Sequence, residues 1–99
     1  MERGGYIYIM TNKNNTVLYT GVTSQLEIRV YQHKTGEYKN SFTDKYNCHK
    51  LVYYEYFDYI GEAIEREKQI KAGSRKKKLR LIEKVNPRWN DLYDQIEDY

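Results

Sequence analysis

A chain of 99 residues is the length of one domain, 1–99, with room for a modest core but not for a separate recognition domain beside it. Its 17 Lys and Arg against 14 Asp and Glu leave a formal charge of +3, a weak pointer to a polyanionic partner. Cys48 is alone, which excludes an internal disulfide; with His33 and His49 it offers no ligand-spaced pair for zinc, and no run approaches membrane-spanning length, so a soluble cytoplasmic protein is expected.

The first pattern is a β-hairpin. Tyr6 Ile7 Tyr8 Ile9 Met10 and Val17 Leu18 Tyr19 Thr20 Gly21 are β-prone runs, and Asn12 to Asn15 between them suit a turn. By period-two alternation Tyr6, Tyr8 and Met10 share one face, as do Val17, Tyr19 and Gly21; if those faces coincide, Tyr8 and Tyr19 are neighbours. Ser24 followed three residues later by Glu27 matches a capping box, which predicts a helix to about Lys34, ending near Gly36. Leu26, Val30 and His33 form its inward stripe, with Arg29 and His33 four apart on one side. From Glu37 to Asn47 the pattern weakens to a loop with one helical turn. Leu51 to Phe57 is dense in apolar and aromatic residues, which predicts a third strand at the centre of the sheet.

A second helix is expected from about Ile60 to Lys71, with Ile60, Ala63, Ile64 and Ile70 as its apolar stripe. Glu67 falls inside that stripe, where a carboxylate needs a cation, a proton or a bound metal ion. Ser74 caps a third helix through Leu79, Ile82 and Val85, which stops before Asn86 and Pro87. Arg75, Lys76, Lys77, Lys78 and Arg80 crowd its first turns, where positive charge opposes the helix dipole. Trp89, Leu92, Tyr93 and Ile96 recur at helical spacing and predict a short closing helix. The order is β-β-α-β-α-α with a short C-terminal helix: an α+β fold, a small three-stranded antiparallel sheet flanked by helices. Twelve tyrosines against one tryptophan leave many hydroxyls in need of partners or water.

The triplets Tyr6 Ile7 Tyr8 and Tyr19 Thr20 Gly21, then Arg29 and His33 in Ile28 Arg29 Val30 Tyr31 Gln32 His33, then Glu67 in Arg66 Glu67 Lys68, form an ordered set. It resembles the GIY-YIG nuclease superfamily, in particular its small single-domain bacterial branch of UPF0213-like proteins, from about Gly5 to Leu92. Two positions depart from the family pattern: Tyr6 stands in place of the first triplet's glycine, and Thr20 in place of the second triplet's isoleucine. The resemblance implies a metal-dependent endonuclease that hydrolyses phosphodiester bonds in DNA, with RNA also open. Glu67 would hold one divalent ion, Mg²⁺ or Mn²⁺, and Arg29 would contact the scissile phosphate. Tyr8 would be the general base, Tyr19 would orient water or phosphate, and His33 would either shuttle a proton or position Tyr8. Asn86 either matches an asparagine used by some relatives or simply ends the third helix. Lys68, Lys71, Arg75, Lys76, Lys77 and Lys78 would bind backbone phosphates without reading sequence. The expected substrates are therefore branched, nicked or damaged DNA, with a protein partner as another source of specificity. Two other readings stand beside this one: a nucleic-acid-binding module that no longer cuts or cuts only within a complex, and a tyrosine-rich protein-interaction domain.

Overall fold

Asn12 folds the first hairpin. Its Oδ1 accepts from the backbone N–H of Thr16 at 2.8 Å and of Val17 at 3.0 Å, while Nδ2 donates to the Thr16 hydroxyl at 2.7 Å. Asn15 supplies the left-handed residue of the same turn, at φ 60°. The strands so joined are β1 (Gly5–Thr11) and β2 (Leu18–Thr23). In the computed structural model, which describes residues 4–96, they are followed by α1 (Leu26–Lys34), α2 (Phe42–Lys45), β3 (Lys50–Phe57), α3 (Ile60–Ala72), α4 (Arg75–Val85) and α5 (Tyr93–Ile96). The α+β order is the one expected from the sequence.

The sheet is antiparallel throughout, in the order β2-β1-β3. The expectation that β3 is central is therefore overturned: β1 holds the centre and β3 an edge. The physical reason lies in burial. Ile7, Tyr8, Ile9 and Met10 are all buried, so β1 is covered on both faces, whereas Tyr56 on β3 is 54% exposed. Tyrosines made β3 look apolar, yet a ring with a polar tip suits an edge. That edge is also covered. Leu51 donates its N–H to Asp91 Oδ1 at 3.2 Å and accepts from the Leu92 N–H at 2.7 Å, so the segment before α5 takes up backbone groups that would otherwise be open to pairing.

Two clusters form the core, one on each side of the sheet. Ile7, Ile9, Val52 and Tyr53 pack against Ala63, Ile70 and Ile82 of α3 and α4. Tyr8, Met10 and Leu51 pack against Leu26 and Val30 of α1, Cys48, and Ile96 of α5. Within α3 the inward positions are Ala63 and Ile70, with Ile60 beside them; Ile64, expected in the stripe, is 38% exposed.

Caps differ from expectation in one instructive place. The box at Ser24 and Glu27 does not form. Gln25 is the N-cap of α1, without a side-chain bond, and its own N–H donates to the Thr23 hydroxyl at 3.1 Å. The same sequence pattern is realised instead at Ser41 and Asp44. Ser41 Oγ accepts from the Asp44 N–H at 3.2 Å, and Asp44 Oδ2 accepts from the Asn40 N–H at 3.0 Å, which turns the expected single turn into α2. Ser74 caps α4 as expected, accepting from the Lys77 N–H at 3.2 Å.

Candidate active site

Tyr8 and Tyr19 point to the same side of the hairpin. The strands pair Tyr8 with Gly21 and Met10 with Tyr19, so the two tyrosines are diagonal neighbours with ring centroids 6.3 Å apart. Gly21 makes room for this: a Cβ there would lie 2.4 Å from the Tyr8 ring and hydroxyl. Helix α1 then brings His33 onto both rings, 5.7 Å from Tyr8 and 5.5 Å from Tyr19 between centroids.

The polar atoms of this group are linked. Tyr8 Oη lies 2.9 Å from His33 Nε2, and His33 Nδ1 lies 2.8 Å from Thr43 Oγ1. Tyr8 is 1% exposed, and burial raises its pKa well above the ordinary tyrosine value; the neighbouring Tyr19 adds to the rise and Arg29 opposes it. Burial likewise lowers His33 to about 4, helped by the positive charge of Arg29. Both groups are therefore neutral near pH 7. Tyr8, keeping its proton, donates to Nε2, and the single ring proton of His33 on Nδ1 is donated to Thr43.

Beside this chain lies a pocket of about 200 Å³, lined by Tyr19, Arg29, His33, Tyr38, Phe42 and Thr43, with Ser41. The Arg29 guanidinium is held over the Tyr38 ring, 5.5 Å from its centroid, and has no carboxylate partner among the described residues. Tyr38 is itself fixed, its hydroxyl donating to Gln32 Oε1 at 2.6 Å. An arginine held in place with its charge unmatched is suited to an oxyanion such as a phosphate.

Tyr8 is not among the residues that line the pocket. It was the expected base; its phenol is buried and hydrogen-bonded to His33, and burial raises its pKa. Tyr19 lines the pocket and Tyr8 supports its wall. Tyr38, Phe42 and Thr43 were missed by the sequence reading. The Ser41-to-Asp44 cap was the available signal for α2, and the lack of apolar periodicity in the loop hid the rest.

Glu67 is not brought among these side chains. It lies on α3, which packs on the other face of the sheet, in the inward stripe between Ala63 and Ile70. Its side chain is 16% exposed and its carboxylate lies 3.5 Å from Lys71 Nζ, which answers the need for a partner that its position predicted. Among the described residues, no group of three or more His, Cys, Asp or Glu could hold a metal ion. A single carboxylate still fits Mg²⁺, which keeps waters and takes substrate oxygens to complete six positions, whereas it does not fit a closed zinc site.

The basic block is dispersed. Lys68 pairs with Glu65 at 3.8 Å and Lys71 with Glu67. Arg75 donates to the Thr16 carbonyl at 2.9 Å, tying α4 to the hairpin turn. Lys76 is exposed, while Lys77 and Lys78 line a cavity between α3 and α4. Asn86 turns inward: 4% exposed, it donates to the carbonyls of Val52 at 3.1 Å and Asn90 at 2.9 Å and accepts from the Asn90 N–H. Its side chain ties the end of α4 to β3.

Comparison with known proteins places these residues in a family. The GIY-YIG catalytic domain matches residues 4–80. The chain is 42% identical over 82 residues to a UPF0213 protein of Syntrophus aciditrophicus, covering 83% of this chain and 92% of that one. It is 43% identical over 77 residues to a UPF0213 protein of Staphylococcus saprophyticus, covering 78% and 92%. The solution NMR structure of a UPF0213 protein from Bacillus halodurans is similar at a TM-score of 0.57 and 27% identity, covering 89% of this chain and 92% of that one. With relatives matched along most of its length and nearly all of theirs, the chain belongs to the UPF0213 branch of the GIY-YIG nuclease family.

Proposed function

We propose that this protein is a metal-dependent endonuclease that hydrolyses phosphodiester bonds in DNA or RNA at the pocket of Tyr19, Arg29 and His33. The observation that carries the reading is Arg29, its guanidinium without a carboxylate partner among the described residues, held against Tyr38 in one small pocket with a tyrosine hydroxyl. Hydrolysis adds negative charge to the phosphate, and Arg29 offsets that charge through a planar fork that needs no rearrangement during the reaction. Tyr19 is the group that orients the attacking water and takes its proton. A free phenol has a pKa of about 10, so the cation in the same pocket assists the proton transfer. His33, neutral and bonded on both sides, positions Tyr8 and the pocket wall and does not carry a proton through the cycle.

Glu67 is the ligand proposed for one Mg²⁺, with Mn²⁺ as a substitute; bound there with substrate, the ion supplies Lewis-acid stabilisation of the phosphate oxygens. Helix α3, which carries Glu67, packs on β1 and β2, the strands that carry Tyr8 and Tyr19 on their opposite face. Sequence preference is expected to be low. The substrates are branched, nicked or damaged DNA, with a protein partner supplying further selection.

The test is cleavage of nicked, branched and single-stranded substrates with Mg²⁺ or Mn²⁺. Arg29→Ala and Glu67→Ala are each expected to lower the rate by about 10²–10³-fold, the loss typical of one transition-state charge contact. Unchanged cleavage in both variants would sink the assignment. A nucleic-acid-binding module without turnover is the second reading, favoured by a pocket lining that holds no carboxylate among the described residues. Salt-sensitive binding with no cleavage of any substrate would select it.

A further inference from the structure

Helices α3 and α4 border a second, open cavity, of about 310 Å³, on the face of the sheet opposite the Tyr19 pocket. Its non-cationic lining is Ile70, Gly73 and Leu81, with Gln69. Five cations line it: Arg66 from α3, and Lys77, Lys78, Arg80 and Lys84 from α4. Among the described residues no carboxylate lines it.

The spacing on α4 makes this arrangement costly. Lys77, Arg80, Leu81 and Lys84 stand at i, i+3, i+4 and i+7, the stripe that normally carries apolar residues toward a neighbouring helix. Like charges at three- and four-residue spacing repel, and the first turn also faces the positive end of the helix dipole. Arg66 is partnered by Glu55 at 3.4 Å and by Gln69 at 3.0 Å. Lys77, Lys78, Arg80 and Lys84 have no ion pair among the described residues. Acidic residues are common in this chain, yet among the described residues none pairs with these four. A concave site with apolar side chains and a cationic rim matches a ligand with a flat apolar ring and a phosphate.

We propose that the α3–α4 cavity binds a nucleotide, with the base on Ile70 and Leu81 and the phosphate on the rim of Lys77, Arg80 and Lys84. The nucleotide is either free or part of a strand. This site is separate from the Tyr19 pocket and its occupancy requires no cleavage.

Titration of amide NMR shifts in the absence of divalent metal tests the proposal, with ADP and a dodecamer of thymidylate as probes. The amides of Ile70, Gly73 and Leu81 are expected to move in the native chain. In Lys77→Gln/Arg80→Gln/Lys84→Gln the affinity is expected to fall by at least about tenfold, and the salt dependence of thymidylate binding to flatten by about 0.7 in slope per lost phosphate contact. Movement with both probes assigns a free nucleotide; movement with the oligomer alone assigns a strand. The three side chains are exposed, so the variant is expected to fold; if its spectrum collapses, Arg80→Gln and Lys84→Gln singly carry the same test. Unmoved cavity amides with both probes, native affinity in the variant, or an equal loss in the distant control Lys39→Gln would overturn the proposal. Absence of nuclease activity would leave it standing, and loss of cavity binding with cleavage intact would remove it alone.

Discussion

Two tyrosines on one face of a hairpin take different parts because their environments differ. Tyr8 is buried against Gly21 and donates to His33; Tyr19, on the edge strand, lines the pocket with Arg29. Tyr19→Phe is therefore expected to lower cleavage by about 10²–10⁴-fold while stability changes by less than about 0.5 kcal/mol. Tyr8→Phe leaves His33 Nε2 buried without its donor, so it should cost about 1–3 kcal/mol of stability with a smaller effect on cleavage per folded molecule. Denaturant unfolding beside single-turnover cleavage separates the two; the reverse pattern would return the base role to Tyr8. Gly21→Ala drives a methyl into the Tyr8 ring, which is packed on all sides, and is expected to cost about 1–3 kcal/mol by overpacking. The glycine was visible in the sequence as a place of close approach. That the approaching group is Tyr8 needed the pairing register.

At the scale of elements, β3 and the segment after α4 depend on each other. The register of β1 and β3 slips between Ile9 and Met10, pairing Ile9 with Tyr53 and Met10 with Leu51. Val52 is the residue left over, and its carbonyl takes the Asn86 side chain. Asn86→Ala removes this bond and two within the following turn, so a loss of about 2–4 kcal/mol is expected by thermal or chemical unfolding. Cleavage per folded molecule should be unchanged; a loss of rate at full stability would make Asn86 part of the site. The sequence placed this asparagine at the end of α4 correctly, and its packing on β3 decided what it does. Helix α2 illustrates the converse. Its cap was written in Ser41 and Asp44, but a four-residue helix carries too little periodicity to be told from a turn. Its place against His33 and Tyr19 is a tertiary fact.

At the scale of the whole molecule, the buried imidazole of His33 couples the site to stability. His33 is 5% exposed and titrates at about 4 when folded, against about 6.5 for an ordinary imidazole. Between those pH values the unfolded chain binds more protons than the folded one, so stability rises with pH through this window and falls on acidification. The loss from pH 7 to pH 4 should be about 3 kcal/mol from this group. Unfolding midpoints measured at pH 7, 5.5 and 4 are expected to fall more steeply in the native chain than in His33→Gln, which has no imidazole to protonate. Parallel curves would show that His33 is not held neutral.

The order of elements, the hairpin, the helix pairing Arg29 with His33 and the inward position of Glu67 follow from the sequence alone, because each is a local pattern of period, cap or turn. Tertiary structure decided which strand is central, because apolar density does not separate a tyrosine-rich edge from a core strand. It also decided which tyrosine meets the pocket, because alternation gives a face and not a depth. And it decided how the basic block divides. Charges adjacent in sequence project around a helix, so Lys68 and Lys71 find carboxylates one turn away, while Lys77 and Lys78 join Arg66, Arg80 and Lys84 across the gap between α3 and α4.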